Sequence, residues 1–193
     1  PYSIKRDEKI KTTCSRENVQ FVSCQDITLF PIGGVTKKDG SIYMKFTPYY
    51  NVAITESVRK NVPNKHKNYI KGSKKLAGEY KNKIDIFYKK NENIAVRGGR
   101  SNALVILDNI NKFKNYGKER NTLSIPTTRL SAYIKFGCIS CREVWHRFVN
   151  ILGKKSDLVK QLIWREFYYN ILYRHPETLS VDFSKKNLKE NYS

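Results

Sequence analysis

The 193-residue chain has no apolar run near the ~20 residues that crossing a bilayer requires, and Ala103–Leu107 is among its longest. No secretory leader pattern opens it either: the stretch from Lys5 to Lys11 is charged and no apolar segment follows. Cysteine is scarce, with Cys14, Cys24, Cys138 and Cys141 at spacings unlike those of a disulfide framework. A reducing intracellular compartment, cytoplasm or nucleus, is therefore expected. Cys138-x-x-Cys141 has the spacing of half a zinc site, with His146 nearby. No second Cys or His pair stands at a matching distance, so no metal is expected and the thiols read as buried. Acidic residues are also few, 17 against 37 Lys and Arg, which leaves a formal net charge of +20. Part of that excess follows a general richness in Lys, Asn, Ile and Tyr. It still favours a basic binding surface, and the scatter of the charges disfavours a membrane-surface helix. Hydrophobic residues make up 39%, too many for a disordered chain. Position 1 is Pro, not Met, from which a processed chain or an internal piece of a longer one is expected.

Three regions follow one another. Residues 1–53 read as α/β: Arg6–Arg16 as the end of a helix, Val19–Ser23 as a short strand after a turn at Asn18, and Ile42–Phe46 as an alternating strand. Pro31-Ile-Gly-Gly34 and Asp39-Gly40 mark turns. Two strands joined by so little chain make only part of a sheet, so this region is expected to pack poorly. Residues 54–95 read as a basic linker. The stretch 54–93 holds 11 Lys or Arg against 4 Asp or Glu and has little periodicity. From Gly98 the pattern is helical. Ala103, Leu107 and Ile110 recur at helical spacing. Leu130–Phe136 is closed by Gly137, and Ser140-x-x-Glu143 is a capping box opening a helix to Gly153. Ser156 opens the last strong helix, which runs through Tyr173 and is stopped by His175-Pro176. The tail from Ser184 is polar.

Three stretches carry chemistry. On the last helix Gln161, Trp164, Arg165 and Tyr168 form one stripe, with Val159, Ile163 and Phe167 left as a packing face. An amide, an indole, a guanidinium and a phenol are costly to bury without partners. They suit the wall of a cavity for a flat, polar ligand, although an interhelical contact with snorkelling ends would use such a stripe too. Thr127-Thr128-Arg129-Leu130-Ser131 sets three hydroxyls and a guanidinium at a helix start, where they could bind phosphate or cap the helix. Tyr116 and Arg120 stand close to this stretch in sequence.

These stretches, Thr-Thr-Arg-Leu-Ser-Ala-Tyr-Ile-Lys-Phe-Gly-Cys-Ile-Ser at 127–140 and Gln-Leu-Ile-Trp-Arg-Glu-Phe-Tyr at 161–168, resemble the start of the flavin-binding helical domain of the DNA photolyase/cryptochrome family. Arg97-Gly-Gly99 with Ala103-Leu104 is similar to that domain's first helix. Arg6-Asp7, Asp26, Leu29 and Tyr43-x-x-Phe46-Thr47-Pro48-Tyr49 resemble the end of the family's N-terminal domain. The resemblance implies an α/β remnant of a Rossmann-like domain at 1–53, the linker at 54–95, and at 96–193 the first part of an all-α FAD-binding domain, incomplete at its C-terminus.

It further implies FAD held by Tyr116, Thr127, Thr128, Arg129, Leu130 and Ser131, with an antenna pigment in a complete chain. DNA or a flipped lesion would be touched by Arg120, Gln161, Trp164, Arg165 and Tyr168. The implied activity is light-dependent repair of pyrimidine dimers in DNA, a carbon–carbon lyase reaction, by a monomer with no membrane partner. A cryptochrome-type photosensor and a remnant without activity are the alternatives. Position 161 is Gln where dimer-repairing members commonly carry Glu; a Gln there resembles six-four photolyases and animal-type cryptochromes. His66, His146 and His175 match no proton-moving His of that branch.

Overall fold

A computed structural model describes residues 2–62, 65–66 and 91–180. Most of the basic linker and the polar tail lie outside the described residues. Among those described, the regular elements are helical: α1 (Tyr2–Arg16), α2 (Phe46–Ala53), α3 (Arg100–Asp108), α4 (Tyr116–Glu119), α5 (Leu130–Lys135), α6 (Cys141–Leu152) and α7 (Asp157–Arg174). Short 3₁₀ turns at Ile110–Phe113 and Pro176–Leu179 follow α3 and α7.

The helix limits follow local chemistry. Ser140 precedes α6 in extended conformation and its hydroxyl accepts the Arg142 N–H. Glu143 does not close the capping box on itself but forks with Arg100 of α3 through two 2.9 Å bonds. Gly137 and Gly153 take φ of 68° and 87° directly after α5 and α6, a region that favours glycine. At the end of α7, His175 leaves the helix before Pro176, which has no N–H to continue it.

The expected strands are not there. Residues 19–23 and 42–46 form no ladder, and no strand occurs among the described residues. A strand needs a neighbour to pair its alternate N–H and C=O groups, and the described residues offer neither run a partner. Phe46 instead starts α2, with Pro48 tolerated in the first turn and Tyr49 and Ala53 buried one turn apart. The early region is not poorly packed either. Leu29, Phe30, Val35, Tyr49 and Ala53 are buried in the same core as Leu107, Val144, Phe148, Val159 and Ile163.

What replaces the sheet is an irregular strap, residues 25–34, tied to α7 and α6 by side chains. The Leu29 N–H donates to Glu166 Oε2 and the Gly33 N–H to Asn170 Oδ1, at 2.9 and 2.8 Å. Asn170 Nδ2 also donates to the Tyr49 hydroxyl of α2 and to the Glu166 carbonyl. From α6, the buried Arg142 pairs with Asp26 and donates to the carbonyls of Gln25 and Asp26. Each tie supplies a backbone group with the partner that a sheet would otherwise have given it.

Two outcomes are expected. Asn170→Ala leaves the half-buried Gly33 N–H and the buried Tyr49 hydroxyl without their partner, and should cost about 2–3 kcal/mol in urea unfolding. Glu166 gives a pH dependence of known sign. Burial pushes its carboxyl from 4.5 up to about 7. Between those values the folded chain keeps a proton that the unfolded chain has released. This group's contribution to stability is therefore greatest below pH 4.5, falls as pH rises to 7, and is level above that. The span is about 3 kcal/mol. Glu166→Gln should remove that slope, so the variant should gain on the wild type between pH 5 and pH 8; an equal slope in both would contradict the assignment.

Candidate functional site

A cavity of about 490 Å³ lies among α4, α5, α6 and α7. That size falls within the roughly 300–1,000 Å³ of small-molecule sites. Its floor is apolar, formed by Ile134, Val144, Phe148, Leu158 and Leu162. Its polar wall comes from Tyr116, Thr127, Thr128, Arg129, Ser131, Lys135, Gln161, Arg165 and Tyr169. Among the described residues three cations and no acid line it, which favours a positive potential at the wall.

Local folding sets each of these side chains. Tyr116 opens α4, which approaches the start of α7 so closely that a Cβ on Gly117 would meet the Asp157 carboxylate at 2.1 Å. The 127–131 stretch enters α5 through Arg129 in left-handed conformation, φ 50°. Thr128 is buried, and its Oγ1 accepts the Leu130 N–H at 3.3 Å. One of the three hydroxyls thus serves the turn. Those of Thr127 and Ser131, and the Gln161 amide, make no hydrogen bond to the described residues. They are free to serve a ligand. Arg165 lies in the wall with two donors already engaged: Nη1 to Glu166 Oε1 at 2.9 Å and Nη2 to the Ile27 carbonyl at 2.6 Å. Its guanidinium also stands 4.6 Å from the Tyr169 ring centroid.

Of the residues singled out from sequence, the cavity brings together Tyr116, Thr127, Thr128, Arg129, Leu130 and Ser131 with Gln161 and Arg165. It does not bring in the other three. Arg120 is exposed at the end of α4, its N–H bonded to the Tyr116 carbonyl. Trp164 turns away and stacks on Phe46 with ring centroids 3.5 Å apart and planes 5° apart, and Tyr168 stacks on its other side at 5.6 Å. These aromatic rings, with Met44, Phe167, Ile171 and Leu172, line a second, apolar groove. The one stripe of the sequence is therefore two walls back to back. Lys135, Tyr169 and Glu166 were not singled out. Glu166 carried a signal: with Val159, Ile163 and Asn170 it falls at helical spacing on the buried face of α7, and an acid on an apolar stripe is rarely idle.

The residues present fit a flavin nucleotide. Free hydroxyls and three cations suit its pyrophosphate, and the apolar floor with the unpaired Gln161 amide suits a flat ring with polar edges.

A family model described as DNA photolyase matches residues 1–66. Over 97% of its length the chain is 28% identical to deoxyribodipyrimidine photo-lyase of Alkalihalophilus pseudofirmus, spanning 41% of that protein. It is 35% identical to cryptochrome-2 of Gallus gallus over 42% of the chain and 16% of the cryptochrome. Its fold superposes on a class III photolyase from Agrobacterium tumefaciens with a TM-score of 0.63 and 21% identity, covering 92% of this chain and 39% of the other. The chain thus spans about two fifths of the length of the photolyases it matches. A match to the family model at the N-terminal end, a relative aligned across nearly the whole chain and a shared helical fold converge on one likeness: the chain is similar to proteins of the DNA photolyase/cryptochrome family.

Proposed function

We propose that this chain is the flavin-gripping part of a photolyase-type protein that acts on pyrimidine dimers in DNA as part of a longer chain. The observation that carries this reading is the cavity. Tyr116, Thr127–Ser131, Gln161 and Arg165, far apart in sequence, meet in one positively charged wall over an apolar floor. The family match at residues 1–66 and the helical continuation support a division into an N-terminal remnant (1–53), a linker (54–95) and the first part of a flavin domain (96–193).

When bound, FAD would supply light-driven electron transfer. The chain's own residues bind, orient and exclude water. The Thr127 and Ser131 hydroxyls and Arg129 hold the pyrophosphate. Leu158 and Leu162 keep one face of the ring dry, while Gln161 offers a donor and an acceptor without a charge. The groove of Met44, Phe46, Tyr168 and Leu172 is an apolar surface against which an unstacked base would pack, and the exposed Arg120 is a phosphate contact. A photosensor role is the second reading, supported by the cryptochrome matches and by Gln at 161.

Titration with FAD under fluorescence detection tests the pocket. Quenching that saturates is expected, weakened about three- to tenfold by Thr127→Ala or Ser131→Ala, the size of one hydrogen bond each. No quenching at all would refute the reading. Binding to single-stranded DNA should fall steeply with salt, with a log–log slope near −0.7 per phosphate contacted. Arg120→Ala should make that slope shallower by about one contact; a salt-independent affinity would remove the charge argument.

A further inference from the structure

Arg165 reaches into the cavity from one side and into the core from the other. On the cavity side it is part of the cationic wall. On the core side its Nη1 donates to Glu166, a carboxylate 2% exposed whose second oxygen takes the Leu29 N–H. We propose that Glu166 is an internal counter-ion competing with the ligand for Arg165, so that a pyrophosphate-bearing ligand enters the cavity with uptake of a proton by Glu166. The inference rests on the reading of the cavity as a nucleotide site.

The electrostatics follow from the geometry. One guanidinium would stand between two anions, the buried carboxylate and the ligand's phosphates, in a region of low dielectric. Like charges sharing one cation repel, and protonating the carboxylate relieves the repulsion. The phosphates of a pyrophosphate diester stay ionised near neutrality, so the proton goes to Glu166.

The other titratable groups facing Glu166 do not compete for that proton. Tyr49 of α2 has its phenol pushed well above its ordinary range by burial and by the charge of Glu166. Cys141 of α6 has its thiol pushed up to about 11, again chiefly by burial. Glu166, lifted to about 7 by burial, is the group poised to respond at neutral pH. By reciprocity, if the ligand favours the protonated carboxyl, lowering the pH through 7 strengthens the ligand. Glu166 would thus set how firmly the site grips phosphate without itself entering the cavity.

The test uses the full 193-residue chain with two ligands, FAD and ADP-ribose. The second is a pyrophosphate diester that lacks the flavin and has no group titrating near neutrality. Dissociation constants are measured at pH 6 and pH 8 at constant ionic strength. Both ligands are expected to bind at least about fivefold more tightly at pH 6, the low end of ordinary site–site coupling. Glu166→Gln should bind at the pH 6 strength at both values. Calorimetry of the wild type at pH 7 in two buffers of different ionisation heat should show net proton uptake, a readout that stands even if the variant does not fold. Equal affinities at both pH values without proton uptake, or a variant that keeps the wild-type pH dependence, would overturn the inference. If ADP-ribose binds with proton uptake while FAD does not bind, the counter-ion role stands and the flavin reading falls. FAD binding with no proton coupling gives the converse, and no binding of either ligand overturns both.

Discussion

The buried carboxylate of Glu166 is the contact on which the remaining structure depends. It joins two parts of the chain that have no sheet to join them, the strap through the Leu29 N–H and the cavity wall through Arg165, while Asn170, one turn along α7, ties in α2 through the Tyr49 hydroxyl. An ionised carboxylate in that position is costly, and burial alone lifts its protonation to about neutral pH. An isosteric neutral residue would be cheaper for the fold. The neighbouring guanidinium in the cavity wall is where such a charge can be used.

The same tie explains why a run of irregular backbone behaves as part of the core. The strap's N–H groups go to Glu166, Asn170 and Gln25 rather than to a neighbouring strand. Its apolar side chains, Leu29 and Phe30, then seat against α6, with Phe30 edge-on to Trp145 at 6.4 Å. Arg142 and Cys141, from the first turn of α6, close the other side through Asp26 and the Ile27 carbonyl. The cavity is thereby braced from behind: Ile27 and Glu166 hold Arg165, and Arg165 lines the cavity.

Much of the helical region could be read from the sequence because its signals are local. Ser140, Gly137, Gly153 and Pro176 act on their own turns, and the boundaries of α5, α6 and α7 came within a residue or two of expectation. The 127–131 stretch was legible as a helix start for the same reason. The strands failed because alternation at 42–46 says only that one side is apolar; what pairs with it lies elsewhere in the chain. The stripe on α7 failed in part for a geometric reason. Consecutive residues on a helix point about 100° apart, so Trp164 and Arg165 cannot both face one cavity squarely. Phe46, which decides that Trp164 stacks away from it, sits 118 positions earlier. Glu166 was overlooked because in a chain with 28% charged residues another glutamate reads as surface.

The central claim is that the wall formed by Tyr116, Thr127–Ser131, Gln161 and Arg165 is a flavin nucleotide site. Backbone amide NMR of the labelled chain with added FAD tests it most directly, since it reports location rather than affinity alone. The account predicts shifts concentrated at 116, 127–131, 161, 165 and 169, with a smaller echo at Leu29 through Glu166. Shifts centred instead on Met44, Phe46, Trp164 and Leu172, or none at saturating FAD, would contradict it.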